Sequence, residues 1–157
     1  MVSLLIRNLI FTILQPGVAA GLVPYLILTN TGRTFFPEVW TIWNYVGTVL
    51  MLAGSIVIIA CILRFATEGR GTLSPLDPTK KLVVHGLYSY SRNPMYVAVT
   101  VLLIGECLFW MSWALAAYTA ILFVAFNLFI MLHEEPRLRR DFPTEYELYC
   151  ARVRRWL

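Results

Sequence analysis

Residues 94–132 read PMYVAVTVLLIGECLFWMSWALAAYTAILFVAFNLFIML, two apolar blocks separated only by Met111-Ser112-Trp113. Each block approaches the roughly 20 apolar residues that a helix needs to cross a bilayer. Because the link between the blocks is so short, we predict two antiparallel membrane helices, over 94–111 and 113–132, with almost no exposed loop.

Two further apolar blocks, at 4–28 and 40–64, precede this hairpin. The first contains Pro16 and Pro24, which predict a kinked helix. Val18-Ala19-Ala20 resembles a signal-peptide cleavage site, but the apolar run continues beyond it, so we expect the helix to be retained. Charged residues make up 14% of the chain, too few for a soluble domain of this size. We therefore predict a single all-α integral membrane domain, residues 1–157, with about four transmembrane helices.

The basic residues predict the orientation of these helices. Of thirteen Lys and Arg residues, Arg33 alone lies between the first two predicted helices, and the hairpin link has none. With four spans the other twelve lie on one side, which the positive-inside rule assigns to the cytoplasm. Both termini and the polar segments 65–93 and 133–157 are then cytoplasmic. We expect a multi-pass protein whose active site lies on that face.

The first polar cluster is the stretch GLYSYSRNPMY, residues 86–96. Asn93 is a favourable N-cap residue and Pro94 suits a first helical turn, so this stretch could simply begin a membrane helix. A helix start also offers unpaired N–H groups and a partial positive charge. Arg92 adds a permanent cation, and the cluster then predicts a site for a carboxylate or phosphate at the membrane surface.

The second polar cluster is His133-Glu134-Glu135-Pro136, directly after the hairpin. Two acids are unfavourable at the C-terminal end of a helix, which carries partial negative charge. One interpretation is that they belong to a next helix with Pro136 in its first turn. The other is that a carboxylate here binds a cation, an ammonium group or a sugar diol.

The segment after Pro136 is amphipathic, and we expect it to lie on anionic lipid, to fold back as a lid over a cofactor, or to do both. Pro143 should interrupt it, and Thr144 with Glu147 is predicted to form a capping box where it restarts. The apolar face consists of Leu138, Phe142, Tyr146, Tyr149, Val153 and Trp156.

These residues, in this order, resemble the family of isoprenylcysteine carboxyl methyltransferases and phospholipid N-methyltransferases. Members of that family have a Gly-rich turn, a stretch like GLYSYSRNPMY, a membrane hairpin and then a stretch like EEPRLRRDFPTEYELY. The resemblance covers residues 69–156. The chain departs from the family at Asn93, where the prenylcysteine branch usually has His, and at Pro143, which replaces a usual Gly. Arg154-Arg155-Trp156 also lacks the Pro that often precedes Arg-Trp.

The resemblance implies an S-adenosylmethionine-dependent methyltransferase that binds this cofactor at the cytoplasmic face, under the C-terminal segment. The acceptor would be membrane-embedded and lipophilic: the carboxylate or thiolate of an isoprenoid-like or lipid substrate, or a phospholipid amine. We expect Arg92 and Glu135 to be the catalytic pair. By the cofactor's charges, Arg92 would hold its carboxylate, and Glu134 or Glu135 its ammonium or ribose hydroxyls.

The remaining expected cofactor contacts fall into two groups. Those that map onto family motifs are Asn93, Pro94, Tyr96 and, more loosely, Gly69 and Gly71. Those expected from their position beside these motifs, as turn contacts or aromatic walls, are His85, Gly86, Leu87, Tyr88, Tyr146 and Tyr149.

Two other functions compete with this one. A nicotinamide-dependent enzyme related to the sterol reductases has a similar C-terminal region, but the additional membrane helices of those enzymes are missing here. A small four-helix transporter would use Glu106, the one acid within an apolar block, yet Glu106 lies off the midplane where such sites occur. We expect Glu106 to reach water instead.

The expected partners are the lipid bilayer and a lipophilic small molecule, with no nucleic acid. The spacing of Cys61, Cys107 and Cys150 matches no metal-binding pattern, so we expect no metal. The sequence leaves the oligomeric state open.

Overall fold

The structure of the chain, a computed structural model, describes residues 16–32, 34–64 and 82–156. All regular secondary structure within those ranges is helical, as predicted. The early part of the first predicted helix and the predicted Gly69–Gly71 turn lie outside the described residues. The α-helices are α1 (Val23–Asn30), α2 (Ile42–Arg64), α3 (Pro94–Trp110), α4 (Trp113–Phe129), α5 (Glu135–Asp141) and α6 (Pro143–Arg152).

A π-helical turn over Val18–Leu22 precedes α1. The N–H of Val23 bonds the carbonyl of Val18, five residues back, in place of the usual four. Pro24 has no N–H with which to continue a regular helix, so a wider turn accommodates it. The irregularity that Pro16 and Pro24 predicted is therefore a local widening of the helix.

The fourth predicted helix continues further than expected. Helical structure runs without a break from Trp113 to Asp141, because a π-helical turn over Ile130–Glu134 joins α4 to α5. Helical structure therefore extends nine residues beyond residue 132, where the apolar block ends. Pro136 does lie in the first turn of α5, as one interpretation held. Proline has no N–H to donate, and the wider turn before it accommodates the missing hydrogen bond.

Two of the helical segments, Ile42–Arg64 and Trp113–Asp141, are long and apolar enough to cross a membrane. Only 22% and 17% of their most apolar windows are buried inside the protein, whereas the core helix of a soluble protein would be mostly buried. Val18–Asn30 and Pro94–Trp110 are apolar but shorter. These features indicate a membrane protein.

Helices α2 and α3 pack closely against each other through three glycines. We call this contact the glycine seam: Gly47, Gly54 and Gly105. A Cβ on Gly47 would lie 2.6 Å from the carbonyl oxygen of Gly105, and a Cβ on Gly54 would lie 2.8 Å from that of Ala98. Gly47 and Gly54 are seven residues apart, about two turns, and so share one helix face. Small residues that let backbones approach closely are typical of helix contacts in lipid.

The predicted hairpin between α3 and α4 is present. Met111 adopts a left-handed conformation with φ 46°, and Ser112 caps α4 by accepting a hydrogen bond from the N–H of Leu115 at 3.4 Å. Left-handed geometry at the residue after a helix reverses the chain within a very short link.

The tail folds back onto the rest of the protein. Tyr146, Tyr149 and Val153 are buried and pack against Leu82 and Val84, so the predicted apolar face contacts protein. The tail helix is interrupted at Phe142, as Pro143 predicted. The predicted capping box is wrong: α6 begins at Pro143 itself, without any side-chain cap. Proline at a helix start needs no N–H partner, which makes such a cap less necessary.

Candidate functional site

The site begins with a 3₁₀ turn, Gly86–Ser89, that leads into α3. Gly86 has φ +65°, and a Cβ there would collide with the guanidinium of Arg64 at the end of α2. Glycine is therefore favoured by the left-handed backbone conformation, and a larger residue would also displace the end of the Arg64 side chain. The turn brings Arg64, which the sequence analysis did not assign to the site, close to Gly86.

The start of α3 is held by the end of the chain, residues 153–156, which we call the C-terminal strap. Asn93 occupies the predicted N-cap position, but its side chain does not cap the helix. Its Nδ2 instead donates to the carbonyl of Arg155 at 3.0 Å, and the Ser91 hydroxyl donates to the same carbonyl at 3.3 Å. The N–H of Arg92 donates to the carbonyl of Arg154 at 2.9 Å.

Arg92 and Glu135, the predicted catalytic pair, do meet. Arg92 Nη1 lies 3.5 Å from Glu135 Oε1, and both side chains are largely buried. A third residue joins them: Arg155 donates to both oxygens of Glu135, from Nε at 2.8 Å and from Nη2 at 3.0 Å. This hydrogen bond raises the pKa of Arg155. The carboxylate of Glu135 is thus already shared between two arginines.

Arg92 is only partly satisfied by these contacts. Its Nη1 also donates to Cys150 Sγ at 2.6 Å and to Tyr146 Oη at 3.4 Å. Its Nε is buried and has no hydrogen-bond partner among the described residues. A buried N–H without a partner costs free energy, so this atom is a point where a ligand would be stabilised.

Glu134 differs from its neighbour Glu135 in what it contacts. Its Oε2 accepts a hydrogen bond from the Tyr96 hydroxyl at 3.0 Å, and Tyr96 packs on Phe126 with ring centroids 4.9 Å apart. Its other oxygen, Oε1, accepts no hydrogen bond from the part of the chain that the structure describes. Consecutive helical residues point about 100° apart, so the two glutamates serve different partners.

Buried tyrosines form the wall beside these charges. Tyr149 donates to the carbonyl of Tyr88 at 2.6 Å. Burial raises the pKa of Tyr149 to about 12, and burial also raises the pKa of Tyr146 and of Tyr88. These phenols stay protonated at neutral pH, so they are hydrogen-bond donors there and not bases.

The other predicted contacts divide into those near the site and those away from it. Leu87 and Pro94 flank the site within the turn and at the start of α3, whereas His85 is exposed at the beginning of the turn. Gly69 and Gly71 lie outside the described residues. The sequence analysis missed the contacts of Arg155 and Cys150, which depend on how the strap and α6 fold back.

Glu106 is not part of this cluster. It is twelve residues along α3 from Pro94, about 18 Å at the rise of a regular helix. The side chain does not reach water as expected: the residue is 5% exposed, and Oε2 has no partner within the described ranges.

Comparison with known proteins places the chain in a family. The family model described as phospholipid methyltransferase matches residues 42–145, well over half of the chain. Two relatives named as probable protein-S-isoprenylcysteine O-methyltransferases come from Oryza sativa subsp. indica and subsp. japonica. Each is 29% identical over 130 residues, which cover 78% of this chain and 66% of the relative, just under two thirds of its length. No solved structure matches. The chain belongs to the phospholipid methyltransferase family, as the motifs predicted.

Proposed function

We propose that this protein transfers a methyl group from S-adenosylmethionine to a lipophilic acceptor in the membrane. Family membership and the names of the two rice relatives support the reaction class. The observation that carries the proposal for this chain is the arrangement at the start of α3. There, the buried Nε of Arg92 has no hydrogen-bond partner among residues 16–32, 34–64 and 82–156. One carboxylate oxygen of Glu134, next to the Glu135 that pairs with Arg92, accepts no hydrogen bond from those residues either.

The residues present fit the cofactor, which carries a carboxylate and an ammonium group on one end. Arg92 Nε and the N–H groups at the start of α3 would hold the carboxylate. Glu134 would bind the ammonium or the ribose hydroxyls. Glu135 is occupied by two arginines, so its role is to orient Arg92 and not to contact the ligand. When bound, the cofactor supplies an electrophilic methyl carbon on a positively charged sulfur.

The protein's part in such a transfer is positioning. The acceptor must be held about 3–3.5 Å from the methyl carbon, and correct placement supplies much of the rate. Tyr88, Tyr146 and Tyr149 are protonated and buried, so they orient groups without removing protons. An acceptor that is already ionised, a carboxylate or a thiolate, needs no general base. We therefore favour such an acceptor over a protonated phospholipid amine.

The proposed setting is four membrane spans with both termini and the site in the cytoplasm. The two long apolar helices and the tight α3–α4 hairpin support it. Trp113 at the hairpin tip is 88% exposed, and Tyr90 beside the site is 77% exposed. In a chain whose three native cysteines are replaced, Trp113→Cys should react with an impermeant maleimide outside the cell. Tyr90→Cys should react only after permeabilisation, and the reverse pattern would overturn the orientation.

Cofactor binding tests the proposal directly, by calorimetric titration of S-adenosylmethionine into the purified protein in detergent. We expect Arg92→Ala to weaken binding about 100-fold and Glu134→Gln about 10-fold, the range for losing hydrogen bonds to charged groups. Arg140→Ala, an exposed arginine on α5, is the control and should change affinity less than about twofold. Wild-type affinity in both site variants would discard the site.

Two further measurements separate the competing functions. A reduced nicotinamide cofactor should fail to displace S-adenosylmethionine; displacement would favour the sterol-reductase-like alternative. Incubation with methyl-labelled S-adenosylmethionine and a membrane lipid extract, followed by mass analysis, should give a methylated lipophilic product. Labelling of a carboxylate or thiolate rather than an amine would support the acceptor class proposed above.

A further inference from the structure

We infer that Arg155 is a positioning residue: it fixes the plane of Glu135 and thereby holds Arg92 with one N–H directed to the ligand. The inference rests on the proposed function, in which Arg92 binds the cofactor. Arg155 lies in the C-terminal strap, outside both the helix-start motif and the pair of glutamates.

The contact between Arg155 and Glu135 is a fork. Two nitrogens of one guanidinium bond the two oxygens of one carboxylate, at 2.8 and 3.0 Å. A bidentate pair fixes orientation as well as distance, which a single hydrogen bond does not. Glu135 is buried, so it has little water to replace either bond.

Arg92 contacts a carboxylate whose two oxygens Arg155 already bonds. Its Nη1 lies 3.5 Å from Glu135 Oε1, the same oxygen that accepts from Arg155 Nε. Because Arg155 holds both oxygens, Glu135 is not free to turn and form a fork of its own with Arg92. The Nε of Arg92 accordingly has no partner among the described residues and stays available.

The backbone of Arg155 is held separately from its side chain. Its carbonyl accepts from Ser91 and Asn93, the two residues that flank Arg92. A side-chain substitution at 155 therefore removes the fork while the carbonyl contacts of the strap remain. This separation makes the positioning role testable without detaching the strap.

Without the fork, Glu135 would rotate toward Arg92 and engage the N–H groups that the ligand needs. Cofactor affinity should then fall although Arg155 itself contacts no ligand. Lysine at 155 offers a point charge with no planar fork, so it should restore the function only in part.

The first test compares cofactor affinities by calorimetry. We expect Arg155→Met to weaken S-adenosylmethionine binding about tenfold and Arg155→Lys about threefold, because methionine loses both the fork and the charge whereas lysine keeps the charge. The matched control is Arg154→Met, the neighbouring arginine, whose side chain is exposed and whose carbonyl bond to the N–H of Arg92 survives the substitution. That variant should bind within about twofold of wild type.

The second test asks whether Arg155 acts through Glu135. The double variant Arg155→Met/Glu135→Gln should bind no more weakly than Glu135→Gln alone, because coupled residues are non-additive. Thermal unfolding of the ligand-free single and double variants should show the same coupling. General loosening of the strap would instead give penalties that add.

The outcomes separate this inference from the proposed function. If wild type binds S-adenosylmethionine but Arg155→Met matches Arg154→Met, the positioning role is wrong and the proposed function stands. Additive penalties in the double variant lead to the same conclusion. If wild type binds no S-adenosylmethionine, the proposed function fails and the inference fails with it.

Discussion

The glycine seam and the C-terminal strap both hold α3 in place, but they do so by opposite means. The seam joins α2 and α3 backbone to backbone, with room for hydrogen atoms and nothing larger. The strap joins the start of α3 to the end of the chain through hydrogen bonds to carbonyls and a shared carboxylate. The glycine seam therefore depends on close packing, and the C-terminal strap depends on ion pairs and directional hydrogen bonds.

This difference follows from what surrounds each contact. Lipid is as apolar as the side chains it touches, so helices within the bilayer gain from close packing and little from burial. Where the apolar helices end and polar sequence begins, water competes for charges, and ion pairs there add little stability for their number. We infer that the seam determines stability and that the strap determines the geometry of the site.

The largest effect should come from filling the seam. Gly47→Leu places a side chain against the backbone of Gly105 and Phe109, so α2 and α3 must separate. Overpacking of this kind costs about 3 kcal/mol or more, measured by thermal unfolding in detergent. Gly21→Leu is the control, because a Cβ there meets nothing within 4 Å. Equal destabilisation by both substitutions would mean that the seam is not a tight contact.

A smaller effect is expected at the far end of the same helix pair. Asn44 Nδ2 donates to the carbonyl of Phe109 at 2.6 Å, and Asn44→Ala leaves that carbonyl without its partner. The cost should be about 2 kcal/mol in unfolding free energy, with cofactor affinity unchanged. Asn127→Ala removes an exposed bond within α4 and should have almost no effect. If Asn44→Ala weakened cofactor binding as well, the separation between stability and site geometry would fail.

The sequence predicted the long helices well, and the reason is physical. The bilayer fixes how long an apolar block must be, so the ends of α2 and α3 were predicted within two residues. The continuation of helical structure beyond residue 132, through a π turn into polar sequence, was not predicted. The seven-residue spacing of Gly47 and Gly54 is visible in the sequence, but their pairing with Gly105 depends on three-dimensional packing.

The site was only partly predictable for a related reason. Arg92 and Glu135 were expected to come together, and they do, because each lies where an apolar helix meets polar sequence. Asn93 was expected to cap α3 or to contact the cofactor, yet its side chain bonds the carbonyl of Arg155, sixty-two residues away in sequence. Local propensity cannot indicate such a partner, because the partner arrives only when the tail folds back.

A moderate effect should come from the tyrosines that hold the tail. Tyr149→Phe removes the hydroxyl that bonds the Tyr88 carbonyl at 2.6 Å and should cost about 1 kcal/mol. Tyr90→Phe, at an exposed phenol, is the control.

The Tyr149 contribution should also depend on pH in a defined direction. Burial raises the pKa of Tyr149 to about 12, above the value of about 10 for an unfolded chain. Its contribution is therefore full below about pH 10 and is lost as the pH rises through about 12. The stability difference between wild type and Tyr149→Phe, followed by denaturation across this range, should shrink in that window. A difference that shrinks below pH 10 would contradict the buried position of the phenol.

The smallest change in unfolding free energy should come from Arg140, on the surface of the tail. Its size distinguishes whether surface charge or the buried tyrosines hold the tail in place. Arg140 lies 3.3 Å from Asp141, but its side chain is 77% exposed. Arg140→Ala should cost less than about 0.5 kcal/mol in unfolding free energy, because water and salt screen an exposed pair. Raising the ionic strength should remove even that difference. If Arg140→Ala instead cost as much as Tyr149→Phe, surface charge would be holding the tail, and the buried tyrosine cluster would not. The strap would then be expected to loosen in salt, which the bidentate pair between Arg155 and the buried Glu135 argues against.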